Sequence, residues 1–277
     1  MRSDAAPVRT GRSVVIEFVG IPGCGKTTLA RHLVAGLRAA GVSACTMTGA
    51  GRARAARTPL GTRLCAVAPP RWHRALLWQA YVGAGRVHAI SFAREHRRLL
   101  GHVLATQRGR RLPRRLRAHV LRWWLVHAGR RSFLAATAVP DDVLVVDDGF
   151  LHRAVTLHAG PSQAPVPEVV RQYVDLVPVP DLTVVVAADP ETCAERIGRR
   201  GAWRHRPLGE AELRSFLANA SRAVEHAVAR ARAAGWDVVE VDNHAQADVA
   251  DTAAELTRQV LRSLDGARPR GIAGVRA

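Results

Sequence analysis

Gly20-Ile21-Pro22-Gly23-Cys24-Gly25-Lys26-Thr27 matches the pattern GxxxxGK[ST] at every fixed position. Upstream of it, Val14-Val15-Ile16-Glu17-Phe18-Val19 is a β-branched run suited to a buried parallel strand. Downstream, Thr27-Thr28-Leu29-Ala30-Arg31-His32-Leu33-Val34 carries helical spacing. Strand, glycine-rich loop and helix in this order form a cradle for a polyphosphate. Successive backbone N–H groups and the positive helix end surround the β-phosphate, and the glycines admit it without a Cβ in the way. Lys26 is then expected to span the β- and γ-phosphates, the Thr27 hydroxyl to bind Mg²⁺, and Thr28 to hydrogen-bond near the α-phosphate. Gly20, Ile21, Pro22, Gly23, Cys24, Gly25, Lys26, Thr27 and Thr28 are thus the expected binding residues for ATP and Mg²⁺. Cys24 reads as a small loop filler.

Lys26 is also the only lysine in the chain; the other 40 of its 41 basic residues are arginine. A chain that otherwise uses Arg as its cation keeps Lys where a compact ammonium is needed and a planar guanidinium does not fit. The net charge of +18 is unevenly placed. Residues 50–135 hold 19 Arg and a single acid, Glu95, whereas the remaining 191 residues balance 22 basic against 22 acidic. That imbalance calls for a negatively charged acceptor or surface. A phosphorylated acceptor needs only a few convergent arginines, so Arg110, Arg111, Arg114, Arg115 and Arg117 are expected to face a polyanion.

A length of 277 residues suits one sizeable α/β domain, and 48% hydrophobic with 23% charged residues excludes a disordered or collagen-like chain. Apolar stretches fall short of the roughly 18 residues of a membrane span, the first 13 residues lack the apolar core of a secretory signal, and Cys24, Cys45, Cys65 and Cys193 show no CxxC spacing. These features predict a cytoplasmic protein without structural zinc.

Along the rest of the chain, residues 42–47 read as a second strand, and helical patterns follow near residues 71–100 and 113–127. The second of these places Leu112, Leu116, Val120, Trp123 and His127 on one face. A third strand, Val143-Leu144-Val145-Val146, follows Asp141-Asp142 and ends in Asp147-Asp148-Gly149, an apolar run closed by a carboxylate. A Pro-rich loop at residues 160–168 leads to a short helix and a fourth strand at residues 182–187. Asp189-Pro190-Glu191 has the form of a helix start, and that helix ends at Arg200-Gly201. A long helix near 209–234, a strand at 236–241 and a last helix near 246–264 complete the chain. The reading is α/β, a doubly wound parallel sheet of about five strands with a basic helical insert. Residues 13–265 form one domain, the insert occupies 50–135, and 1–12 and 266–277 are flexible ends.

Phe18-Val19-Gly20 with its loop, Val145-Val146-Asp147, Pro180-Asp181-Leu182-Thr183 running to Asp189-Pro190-Glu191-Thr192, then Glu195-Arg196-Ile197 and Arg200-Gly201, resemble the thymidylate kinase-like branch of P-loop kinases. The resemblance covers about residues 13–48 and 141–265 and omits the basic segment. It implies a kinase, a lid where Arg196, Arg199, Arg200, Arg204 and Arg206 cluster, and an adenine-wrapping loop at Asp242-Asn243-His244. Arg196 and Arg200 match the lid motif best, and a mobile Arg stabilises the charge that spreads during phosphoryl transfer. The branch places Asp-Arg after the third strand and Arg-Glu-Pro after the second. Here Asp147-Asp148 and Thr48-Gly49-Ala50-Gly51-Arg52 stand instead, so the resemblance supports a kinase more than a thymidylate acceptor.

Catalytic roles are therefore expected for Lys26, Asp147, Arg200 and Arg196, with Thr27 and Asp147 holding the metal, Asp147 either through a bound water or while polarising the acceptor hydroxyl. Asp148 is the second candidate, because successive strand residues point to opposite faces and one of the two aims at the phosphates. Glu17 either faces the active-site edge or pairs with a buried Arg. Trp72, Trp78, Tyr81, Phe92, Trp123 and Trp124 stack an acceptor or form core. His73, His88, His96, His102, His119 and His127 have no metal-ligand spacing. The expected activity is γ-phosphate transfer from Mg·ATP to a small, anionic acceptor such as a nucleoside or nucleotide. The alternative is an ATP-binding module whose basic helices dock on nucleic acid or an anionic membrane surface. Oligomeric state is not legible.

Overall fold

The computed structural model describes residues 13–110, 112–139, 142–200, 209–244 and 249–266. Asp141, Arg111, Gly201, Arg204 and Arg206 lie outside them. Five parallel strands, β1 (Val14–Val19), β2 (Ala44–Thr46), β3 (Val143–Val146), β4 (Leu182–Ala187) and β5 (Val238–Asp242), form one sheet in the order β2-β3-β1-β4-β5. β1 is central, registered against β3 from Val14↔Val143 to Glu17↔Val146 and against β4 from Ile16↔Leu182 to Val19↔Val185. Helices α1 (Lys26–Ala39) and α11 (Val249–Gly266) pack together, as do α7 (Phe150–His158), α8 (Pro167–Leu176) and α10 (Glu210–Ala233). Together with α9 (Pro190–Arg199) they complete a doubly wound P-loop NTPase fold, whose ligands bind at the carboxyl ends of the strands.

Between β2 and β3 the chain is helical: α2 (Met47–Ala56), α3 (Pro59–Val67), α4 (Pro70–Glu95), α5 (Arg97–Gly109) and α6 (Arg114–Ala136). The strand expected over residues 42–47 is shorter, because the Thr46 side chain accepts a hydrogen bond from Gly49 N at 3.2 Å and starts a helix at Met47. The helix expected through residues 71–100 breaks at His96 (φ −111°, ψ 47°), where α4 ends and α5 begins. α7 was not expected at all. α6 runs on to Ala136 and turns a different face inward: Trp124 is buried at 1% exposure whereas Trp123 stands 47% exposed.

The insert is attached by a second core. Leu144 and Val146 of β3 join Met47, Ala50, Ala55, Tyr81, Phe133 and Leu134, while Val143 and Val145 turn to the main core. This period-2 alternation makes one face of β3 the floor for α2, α4 and α6. α4 and α6 cross where Gly129 meets Gly85, and a Cβ on Gly129 would collide with the Gly85 carbonyl and with Ala89.

Arg110 corrects one expectation. It does not face a polyanion: it is 4% exposed, and its guanidinium donates to the carbonyls of Thr156 and Leu157 at 2.8 Å and of Ala159 at 2.7 Å. These are orphan acceptors at the carboxyl end of α7. Arg114 and Arg115 are exposed. Arg110→Ala is expected to cost about 2–4 kcal/mol by leaving buried carbonyls unpaired, whereas Arg114→Ala stays within about 0.5 kcal/mol. Urea unfolding of the two variants reads the difference, and equal stabilities would contradict the clamp.

Candidate functional site

The loop expected to bind polyphosphate joins β1 to α1 at the carboxyl edge of the sheet. Gly23 and Gly25 have φ of 88° and 99°, values L side chains rarely adopt. A Cβ on Gly23 would lie 2.7 Å from the Cys193 carbonyl, and one on Gly25 would strike the Asn243 amide. Lys26 is 8% exposed, and its ammonium donates to the Gly20 and Ile21 carbonyls, each at 2.9 Å. Cys24 is buried at 0% exposure, in keeping with loop filling.

Asp147 and Asp148 lie in a bend just past the end of β3, and their side chains take different partners. The Thr27 hydroxyl donates to Asp147 Oδ2 at 2.8 Å, bringing two hard oxygen donors together beside the loop. Asp148 accepts from Arg153 at 2.5 Å and lies 3.7 Å from His152 Nε2, both on α7. Its Oδ1 is buried without a hydrogen-bond partner among the described residues. Burial raises its pKa, against the pull of Arg153.

The loop after β5 is tied down on both flanks. Asn243 Nδ2 donates to the Cys24 carbonyl at 2.6 Å, and its backbone N–H donates to the Ala187 carbonyl at 2.8 Å. Arg196 donates to the carbonyls of Asn243 at 3.0 Å and His244 at 3.3 Å. Asp189 caps α9 by accepting from Thr192 N at 2.7 Å and lies 3.0 Å from His244 Nδ1. Those contacts, led by the Thr192 N–H, hold its carboxyl well below the usual carboxylate range. Arg200 is exposed at the end of α9, and among the described residues it carries no such set of contacts.

On the insert side lies a cluster that no motif announces. Arg130 places its Cζ 4.7 Å from the Trp78 ring and 5.5 Å from Tyr81, and Arg153 lies 5.1 Å from Trp123. The Nε atoms of Arg130, Arg131 and Arg153, the Tyr81 hydroxyl, His127 Nε2 and His152 Nδ1 are all buried without hydrogen-bond partners among the described residues. Burial first, then the neighbouring cations, keeps His127 and His152 well below the ordinary imidazole value, so both are neutral at pH 7. The sequence signals available were the adjacent Arg130-Arg131 inside an otherwise apolar helical stretch and the acid-free segment around them.

Glu17 faces this cluster from β1. It is 1% exposed, accepts from Leu151 N at 2.5 Å, and is packed so closely that a Cβ on Gly149 would strike it. Burial raises its pKa from 4.5 to about 7, opposed by the Arg131 charge and the Leu151 N–H. Between those two values the folded state holds more protons than the unfolded state, so stability falls as pH rises through that window, by about 3 kcal/mol at most. Glu17→Gln removes this contribution. Urea unfolding at pH 5 and pH 8 is expected to show a smaller loss for the variant, and identical losses would contradict the assignment.

No family model matches the chain. It is similar to a "Probable thymidylate kinase" from Pyrobaculum aerophilum, 29% identical over 126 residues, which is 45% of this chain and 59% of the relative. The chain thus spans less than two thirds of that relative's length. A solved structure, a deoxyadenosine kinase from M. mycoides with bound dCTP, aligns over 90% of this chain and all of its own at 13% identity, with a TM-score of 0.39.

The residues present suit a nucleotide. The loop's glycines take positive φ and pack too closely for side chains, and a hydroxyl beside a carboxylate is the small oxygen donor set that Mg²⁺ uses when phosphate and water complete its shell. Among the described residues no group of three or more His, Cys, Asp or Glu side chains forms a metal cluster, and no helix is long and apolar enough to cross a membrane.

Proposed function

We propose that this protein is an ATP-dependent phosphotransferase that moves the γ-phosphate of Mg·ATP to a small anionic acceptor of nucleoside or nucleotide kind. The observation that carries the reading is the Thr27–Asp147 hydrogen bond beside buried Lys26, which joins loop and third strand at the carboxyl edge of a parallel sheet. The distant likeness to a probable thymidylate kinase supports it.

In this reading the backbone N–H groups of residues 20–28 hold the phosphates, and Lys26 leaves its carbonyl partners to neutralise charge on the β- and γ-phosphoryl oxygens. Thr27 and Asp147 hold Mg²⁺, which when bound neutralises the developing phosphoryl charge. Arg200 is the cation free to approach the transferring group. Arg196 acts as a positioning residue, because its guanidinium fixes the loop at Asn243 and His244 against α9. On the acceptor side, Arg130, Arg131 and Arg153 supply guanidinium forks and Tyr81 a hydroxyl, and Asp148 orients Arg153.

A γ-phosphate transfer screen over a metabolite library, read by mass spectrometry, tests the proposal. Transfer to one or more phosphate- or carboxylate-bearing hydroxyl compounds is the expected result. ATP hydrolysis with no acceptor phosphorylated in the entire panel would replace it with an ATPase reading.

A further inference from the structure

An open groove of about 500 Å³ lies between α2 and α4, lined by Thr48, Arg52, Arg71, Arg74, Ala75 and Trp78. It brings together three guanidiniums, a hydroxyl and an indole, and no carboxylate. The sequence has no acid anywhere between Glu17 and Glu95. Arginines elsewhere in the protein find carboxylates: Arg171 pairs with Glu168, Arg214 with Glu210, Arg230 with Asp175 and Arg232 with Glu240. Arg52, Arg71 and Arg74 have no ion pair among the described residues.

Two helix ends add to this charge. Thr48 lies in the first turn of α2 and Arg71 in the first turn of α4, and neither turn carries the acidic residue that would offset its partial positive charge. The groove also sits at the carboxyl edge of the sheet, beside β2, which is two places from β1 in strand order. Adjacent strands lie about 5 Å apart, so β2 itself is on the order of 10 Å from the strand that feeds the phosphate loop. Trp78 links the two regions, since Arg130 of the inner cluster stacks on the same indole that walls the groove.

We infer that this groove is a phosphate subsite. It grips a phosphate group that the acceptor carries at a point apart from the atom receiving the γ-phosphoryl, and Trp78 covers the neighbouring apolar part of the molecule. The word acceptor rests on the phosphotransferase reading above; anion binding by the groove does not. Guanidinium forks match phosphate oxygens in pairs, and three arginines without a carboxylate partner among the described residues line this one opening. The phosphate belongs either to a soluble metabolite or to a lipid headgroup. The second source is relevant because Leu60, Val67 and Trp72 on α3 and at the start of α4 are 59%, 83% and 54% exposed.

The test is made in the Lys26→Ala background, which weakens the phosphate loop as a competing site. Inorganic pyrophosphate is titrated by calorimetry, and phosphatidylglycerol vesicles are titrated in parallel by co-sedimentation. Arg71→Glu with Arg74→Glu is expected to weaken binding about tenfold or more. Arg114→Glu with Arg115→Glu, an equal charge change at the opposite end of the α4–α6 pair, is expected to weaken it by less than about threefold. Pyrophosphate binding with this pattern assigns the groove to a soluble phosphate. Binding of vesicles alone with the same pattern, weakened further by Trp72→Ser, assigns it to a lipid headgroup. Binding of neither probe, or equal losses from the two charge reversals, overturns the subsite. Separately, a wild-type protein that does not bind Mg·ATP would overturn the phosphotransferase reading and the groove's assignment to an acceptor, leaving the anion result to stand by itself.

Discussion

Lys26→Ala is expected to lower phosphoryl transfer by about 10³-fold or more while leaving the fold intact, because it removes the compact charge facing the β- and γ-phosphates. The ammonium is held beside the loop by the Gly20 and Ile21 carbonyls, the partners it exchanges for phosphoryl oxygens in the proposed reaction. Lys26→Arg should fail nearly as completely. The pocket around Nζ is closed by the loop's own carbonyls and by the Cys24 sulfur at 3.5 Å, and a planar fork is too wide for it. Transfer of labelled γ-phosphate, together with the thermal midpoint of each variant, makes the comparison. An unchanged turnover of ATP in well-folded Lys26→Ala protein would end the kinase reading.

Asp147→Asn is expected to keep ATP affinity within a small factor and to lose about 10²-fold in turnover. The substituted amide oxygen still accepts the Thr27 hydroxyl at the position the carboxylate holds now, so the variant isolates the missing charge. Asp148→Asn acts elsewhere. It weakens the partner of Arg153 and is expected to raise the concentration of acceptor needed for half-maximal rate, with a much smaller change in turnover and none in the dependence on Mg²⁺. Titrating Mg²⁺ against both variants separates the two roles. Equal effects, or a larger turnover loss in Asp148→Asn, would overturn the assignment of the metal to Asp147.

The phosphate loop, the first, third and fourth strands and the Asp189 cap were legible because each is local. Their determinants lie within a few residues: glycines where φ must be positive, β-branched runs where both faces are buried, an N-cap side chain three positions before the N–H it accepts from. Strand alternation is the expectation for Asp147 and Asp148, but β3 ends at Val146 and both lie in the bend beyond it, where Thr27 meets Asp147 from 120 positions away.

What the tertiary structure alone decided was how the arginines divide. Nineteen of them occupy residues 50–135, and composition treats them alike. Packing sends Arg110 into the end of α7, stacks Arg130 on Trp78, buries part of Arg131 near Glu17 and leaves Arg71 and Arg74 open at a groove. The same holds for Trp123 and Trp124, adjacent in sequence and opposite in exposure, and for Asn243, which reaches the phosphate loop across 219 positions. Local pattern specifies which residues form helices and strands, since backbone hydrogen bonds and side-chain periodicity act over one or two turns. It does not specify which helix faces meet, because that choice depends on the shapes and charges of partners brought together only when the sheet and its insert close on one another.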